Sequence, residues 1–150
     1  MPADPPGFEI GKDGIMAVVA GVDGSPSSLH AAAWAGGLAR RETALLVLVY
    51  VEPLGSPAYW SPLSMAGASQ AAVDYVEELR AEAQRYLDPI GVHWKLVHHR
   101  GDPASGLESV AEKFRADCIV VGRSRHGGGL LGSVPRTLIN DAARPVVVVP

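Results

Sequence analysis

Five short apolar runs, separated by longer segments with helical spacing, constrain the fold of this chain more than any other feature. Four of the runs are rich in β-branched residues and almost continuously apolar, as expected of strands buried on both faces of a sheet. The third run alternates more between apolar and polar residues, which is typical of an edge strand. The sequence therefore predicts strands at residues 16–22, 45–51, 92–98, 118–121 and 146–149.

The segments between these runs carry the start signals and apolar stripes of helices. Ser25-Pro26 and Asp102-Pro103 each offer an N-cap residue followed by proline, which is favoured at the first helical position. The second helix is expected over residues 69–87 and the fourth over residues 134–143. The predicted buried stripes are Ala31, Trp34, Ala35 and Leu38 in the first helix, Ala72, Val76, Leu79, Ala83 and Leu87 in the second, and Leu107, Val110, Ala111 and Phe114 in the third.

Strands that alternate with helices predict βαβ units, and therefore a parallel sheet with helices on both faces. Right-handed crossovers leave few arrangements of five such strands. We expect a three-layer α/β/α fold with a doubly wound five-stranded parallel sheet in the order 3-2-1-4-5. Ligands of such sheets bind beyond the carboxyl ends of the strands where the winding reverses, here between strands 1 and 4. The loops at that point start at Asp23 and Gly122, so the candidate cleft lies between them.

Length and charge exclude several classes of protein. The chain has 150 residues, which fit one domain, and we place that domain at residues 14–150. The net charge of −3 indicates no basic surface for nucleic acid. No apolar run reaches the roughly 18 residues of a transmembrane helix. We therefore expect neither a nucleic acid nor a membrane as a partner.

The first 13 residues are rich in proline, glycine and acids, and they lack the basic start and apolar block of a secretory leader. We expect them to form a disordered or loosely docked tail. Cys118 is the only cysteine, so no internal disulfide can form, and its apolar neighbours predict a buried, unreactive thiol. These features lead us to expect a cytoplasmic protein.

An acid, Asp23, follows the first predicted strand. Its carboxylate could accept hydrogen bonds from ribose hydroxyls or from the amine at the edge of adenine. It could equally shape the turn and the cap of the next helix. The sequence leaves both roles open.

A glycine-rich loop follows the fourth predicted strand and runs from Gly122 to Ser133. Backbone N–H groups of such a loop can point at an anion, and the helix that starts at its end adds partial positive charge. Arg123, Arg125 and His126 supply cations. The alternative is a solvated loop in which Ser133 only caps the next helix. The coincidence of glycines, cations and a helix start at the predicted cleft favours anion binding.

Three segments resemble the universal stress protein family: VVAGVDGSPSS near the amino end, GDPA at residues 101–104, and IVVGRS, GS and RPVVVV near the carboxyl end. The resemblance extends over about residues 15–150. It implies that Asp23 contacts the ribose or adenine of bound ATP and that Val51 lies against adenine. It also implies that Gly122 starts the phosphate loop and that Gly132-Ser133 end it.

On this basis we predict an ATP site, with Mg²⁺ accompanying the nucleotide. The predicted site combines the strand ends, the cations of the loop and the helix start. Its residues are Gly21, Val22, Asp23, Val51, Val121, Gly122, Arg123, Arg125, Gly132, Ser133 and Val134.

The predicted phosphate loop departs from the family pattern, which is glycine, two residues, glycine, nine residues, then glycine-serine or glycine-threonine. Here Arg125 stands in place of the second glycine, and only six residues separate it from Gly132. The three missing residues remove about 10 Å of contour length. An alternative function therefore stays open: a dimeric interaction module of the same fold that has lost ATP binding.

The last predicted strand is wholly apolar although it should lie at the edge of the sheet. Such an edge favours pairing with another chain, and members of the resembled family commonly form dimers through this strand. We therefore predict a homodimer through Val146–Val149. Coverage of this edge by the amino-terminal tail is the alternative.

Residues 52–67 form an unusually long connection with several large apolar side chains. Connections of this length tend to be functional, and both a lid over the cleft and a dimer contact are open.

Asp23 is the only acid expected at the cleft, and no base is expected beside Ser133. We therefore predict a binding protein, with at most slow ATP hydrolysis or self-phosphorylation.

Overall fold

A computed structural model describes residues 14–52, 60–123 and 134–150 of the chain. In these parts, five strands alternate with four helices. The predicted tail, residues 1–13, lies outside the described residues. The elements are β1 (Ala17–Val22), α1 (Pro26–Glu42), β2 (Leu45–Glu52), α2 (Pro62–Leu87), β3 (His93–Arg100), α3 (Pro103–Lys113), β4 (Cys118–Gly122), α4 (Val134–Asp141) and β5 (Val146–Val149).

The strands form one parallel sheet in the order β3-β2-β1-β4-β5. This confirms the predicted fold class and strand order. β1 and β4 are buried along their whole length, whereas β3 at one edge alternates between exposed and half-buried residues. Helices α1 and α2 contribute to the core on one face of the sheet, and helices α3 and α4 contribute to the core on the other.

Helix α1 begins at the predicted signal, because the Oγ of Ser25 accepts a hydrogen bond from the backbone N–H of Ser28 at 3.3 Å. Its buried face consists of small residues, including Ala31, Ala35 and Ala39. Trp34 is 41% exposed, so its predicted place in the buried stripe is wrong. The stripe advances four residues at a time, and Trp34 lies beside it.

Helix α2 begins at Pro62 rather than at residue 69, so the predicted long connection is helical from that point onwards. The Oγ of Ser61 accepts from the N–H of Ser64 at 3.3 Å and caps the helix. Ser61-Pro62 repeats the start signal of α1, but the first turn that follows buries no apolar stripe, since Leu63 is 87% exposed. Residues 53–59 lie outside the described part.

The later helices follow the sequence closely. Asp102 caps α3, and the backbone N–H of Ser105 donates to its Oδ2 at 2.9 Å; this hydrogen bond lowers the pKa of Asp102 below its usual value. Helix α4 ends at Asp141, two residues before the predicted end.

Cys118 is buried, as predicted, and burial is the main cause of a raised thiol pKa. A thiol with a raised pKa is a poor nucleophile at neutral pH. Among the described helices, none combines the length and apolarity needed to cross a bilayer.

Candidate functional site

The candidate site lies where the two central strands end. β1 and β4 are paired in parallel, with Val18 opposite Cys118 and Ala20 opposite Val120. Parallel strands point the same way, so the residues that follow both of them leave the same edge of the sheet. Asp23 follows β1, and Gly122 is the last residue of β4.

The carboxylate of Asp23 builds the turn between β1 and α1. Its Oδ1 accepts a hydrogen bond from the backbone N–H of Ser25 at 2.8 Å, and its own N–H donates to the Oγ of Ser28 at 3.2 Å. Asp23 is half-buried, whereas Ser28 is only 1% exposed. Of the two roles left open by the sequence, the turn-shaping role is therefore present in the structure. It engages Oδ1 of the carboxylate.

Packing requires glycine at position 122, and the sequence alone did not indicate this. A Cβ at this position would stand 2.4 Å from the carbonyl oxygen of Ser27 and 2.9 Å from the backbone nitrogen of Ser28. The first turn of α1 therefore lies directly against the carboxyl end of β4. Only a residue without a side chain permits this approach.

The predicted valines of the site are core residues. Val22, Val51 and Val121 have no exposed surface. Val22 belongs to the core on the α1 and α2 side, and the other two belong to the core on the α3 and α4 side. Their side chains thus pack in the core and hold β1, β2 and β4 in place.

Gly21 is buried in β1, opposite Val49. The other predicted residues divide into two groups. Arg123 is exposed, and its backbone N–H donates to the carbonyl oxygen of Val149 at 2.7 Å. Val134 is the first residue of α4 and is buried. Arg125, Gly132 and Ser133 lie outside the described residues.

A second acid at this edge was missed by the sequence analysis, which expected Asp23 alone. Glu52 ends β2 and is 1% exposed. Its Oε2 lies 2.6 Å from the Nε of Arg100 and 3.1 Å from the Nε2 of His98. Both partners are on β3, and Arg100 is the register partner of Glu52. The signal was an acid at the end of an otherwise apolar strand, but its partner is recognisable only once the register is known.

The two consecutive histidines of β3 lie on opposite faces of the sheet, as the strand alternation predicts. His98 contacts Glu52, whereas the ring of His99 lies against Gly106 of α3. In the part of the chain that the structure describes, no group of three or more His, Cys, Asp or Glu residues is arranged to hold a metal ion.

Comparison with known proteins identifies the family. The sequence model of the universal stress protein family matches residues 14–150. The chain belongs to the universal stress protein family. A universal stress protein of Methanocaldococcus jannaschii is 32% identical over 139 residues, which cover 88% of this chain and 80% of that protein. Another, from Mycobacterium tuberculosis, is 29% identical over 133 residues, 89% of this chain and 48% of that protein.

Solved universal stress proteins share this fold. UspA from Lactobacillus plantarum superimposes with a TM-score of 0.75 at 21% identity, over 91% of this chain and 98% of that one. A universal stress protein in complex with cAMP gives a TM-score of 0.62 at 27% identity, over 92% of this chain and 98% of that one. Two more distant structures, from Arabidopsis thaliana and Archaeoglobus fulgidus, contain AMP and dAMP. Proteins of this family therefore bind adenine nucleotides.

Proposed function

We propose that this universal stress protein is a regulatory domain that binds an adenine nucleotide, ATP above all, between the carboxyl ends of β1 and β4. The observation that carries the proposal is the juxtaposition of Asp23 and Gly122 on two neighbouring strands of one edge. The nucleotides held by related structures support it.

In this proposal the two strand ends serve different parts of the nucleotide. Asp23 would accept hydrogen bonds from the ribose or the adenine amine, beside the backbone of Gly21, Val22 and Val51. The phosphates would lie toward the β4 end, against Val121 and the loop. The loop and helix residues assigned to the phosphates are Gly122, Arg123, Arg125, Gly132, Ser133 and Val134.

Mg²⁺ would accompany the phosphates of ATP. Mg²⁺ keeps several waters and is usually bound by the phosphates of a nucleotide together with one or two carboxylates. An ion bound in this way needs no cage of three or more acidic, histidine or cysteine ligands, and the described residues offer none.

Replacing Asp23 with alanine should weaken nucleotide binding by about 10- to 100-fold, because a hydrogen bond to a charged group contributes about 1.5–3 kcal/mol. Calorimetric titration with ATP, ADP and AMP would measure this loss. Asp23→Asn is the companion variant, since its amide oxygen can still accept from Ser25 and keep the turn. The control is Asp141→Ala, which removes an exposed acid at the end of α4.

Equal affinities for wild type, both Asp23 variants and the control would show that the nucleotide lies elsewhere. No binding of any adenine nucleotide to the wild type would favour the alternative function, a dimeric interaction module without ATP. The shortened loop and Arg125 are the features that support this alternative.

The proposed regulatory unit is a homodimer paired through β5. All four residues of this strand are half-buried. The backbone nitrogens of Ile119 and Arg123 donate to the carbonyl oxygens of Pro145 and Val149, so alternate residues of β5 face β4. By this alternation the N–H and C=O of Val148 point outward from the sheet, where a second chain can pair with them.

Val148→Pro should convert the dimer into a monomer, because proline removes the outward N–H donor at the centre of the proposed contact. Sedimentation equilibrium would measure the mass, and circular dichroism would verify that the fold is retained. Val148→Ala is the control, since it shortens the side chain but keeps the donor, and it should remain dimeric. A monomeric wild type would contradict the proposal and favour coverage of the edge by residues 1–13.

A further inference from the structure

Two tyrosines on different elements meet beside the turn that carries Asp23. Tyr50 of β2 is the register partner of Val22, the last residue of β1. Its ring centroid lies 5.1 Å from that of Tyr75 on α2, with 45° between the ring planes. The Cζ and hydroxyl of Tyr75 both lie 3.5 Å from the point where a Cβ of Gly24 would stand. Both rings therefore lie close to the turn that carries Asp23.

The hydroxyls of this pair have no hydrogen-bond partner among residues 14–52, 60–123 and 134–150. Tyr50 is only 6% exposed, and Tyr75 is half-buried. The ring of Tyr50 also lies beside the ring of His98, and the two ring centroids are 5.4 Å apart. Two phenol groups thus pack together beside the turn that carries Asp23.

Both phenols remain protonated, and therefore donors, at neutral pH. Burial is the main cause that raises the pKa of Tyr50, followed by the charges of Glu52 and Asp23. Burial also raises the pKa of Tyr75, where Asp23 is one of several acidic neighbours with smaller effects. The charge of Asp23 helps to raise the pKa of both phenols, in agreement with the position of the two rings beside its turn.

We infer that Tyr50 and Tyr75 belong to the nucleotide site and donate hydrogen bonds to the adenosine end of the ligand, next to the acceptor Asp23. This inference rests on the proposed function. Adenosine offers acceptors at its ring nitrogens and ribose oxygens, and it offers donors at its amine and ribose hydroxyls. One carboxylate acceptor and two phenol donors complement this mixture. The loop after β4 would bind the phosphates.

The test compares Tyr50→Phe and Tyr75→Phe with wild type in calorimetric titrations with adenosine, AMP and ATP. Each substitution removes one hydroxyl and keeps the ring. We expect each to weaken binding about fivefold, as for one neutral hydrogen bond, and by the same factor for all three ligands. Tyr86→Phe is the control, because Tyr86 lies on the same helix but is 65% exposed, and its affinities should be unchanged.

A second readout separates this role from a structural one. Because neither hydroxyl has a protein partner among the described residues, the urea midpoint of the ligand-free protein should not fall in either variant. A lowered midpoint would show a structural hydrogen bond and overturn the inference.

The remaining outcomes distinguish this inference from the proposed function. Wild-type affinity in both tyrosine variants, together with lost affinity in Asp23→Ala, would refute the role of the tyrosines and leave the nucleotide site standing. A loss seen only with ATP would also refute it, since the hydroxyls would then contact phosphate. A wild type that binds none of the three ligands would refute both.

Discussion

Replacing Gly122 with alanine is expected to destabilise the protein by about 3 kcal/mol or more, at the upper end of the overpacking range. The new methyl group would stand 2.4 Å from the carbonyl oxygen of Ser27 and 2.9 Å from the nitrogen of Ser28. Both are backbone atoms of the first turn of α1, and neither can rotate away. The helix would have to move off β4 and disturb the core beneath it. Urea unfolding followed by circular dichroism would measure the loss.

Gly67→Ala is the matched control for this change. Gly67 lies within α2, and a Cβ there would meet nothing within 4 Å. Alanine should therefore stabilise the protein by about 0.5–1 kcal/mol through its higher helix propensity. If Gly122→Ala were as stable as wild type, the close approach of α1 to β4 would be wrong. The position of the Asp23 turn beside β4 would then lose its basis.

Because packing requires Gly122, the presence of this glycine is not by itself evidence for a phosphate loop. The resemblance assigned this glycine to the first position of a phosphate loop. The contact with Ser27 requires glycine even in a protein that binds no nucleotide. Gly122 therefore does not discriminate between the nucleotide-binding domain and the interaction module. Asp23 and the two tyrosines are better places to test that choice.

Most of the fold could be predicted because each element carries its own local signal. The continuous runs of β1 and β4 predict strands buried on both faces, and alternation with helices then allows few sheet topologies. The prediction failed where burial did not follow the local signal. The start of α2, residues 62–68, has a start signal but no buried apolar stripe, so the sequence predicts a loop over most of it. Trp34 fits the helical period but lies beside a stripe of alanines.

The site was predictable only where topology alone determines position. Asp23 and Gly122 follow adjacent strands, so the strand order was sufficient to bring them together. The pairing of Glu52 with His98, 46 positions away, depends on the register of β2 and β3. The meeting of Tyr50 and Tyr75 depends on how α2 packs over the sheet. Register and helix packing come from the whole core, and no local pattern encodes them.

Gly106→Ala is expected to destabilise the protein by about 2 kcal/mol, although alanine is the better helix former. Gly106 lies in the first turn of α3, and a Cβ there would stand 2.2 Å from the Cδ2 and Nε2 atoms of His99. The Nε2 of His99 is itself buried and makes no hydrogen bond within the described residues. To make room for the new methyl group, the ring would have to leave its place against α3, or α3 would have to lift from the sheet.

The identity of the obstacle can be tested by changing the background of this substitution. In a His99→Ala protein the ring is gone, so Gly106→Ala should become stabilising by about 0.5–1 kcal/mol, the ordinary helix-propensity effect. In a His98→Ala protein the full penalty should remain, because His98 lies on the opposite face and contacts Glu52. The free energy of unfolding of all six proteins would be measured in urea. The same loss of unfolding free energy in every background would show that the imidazole of His99 is not the group that requires glycine at position 106.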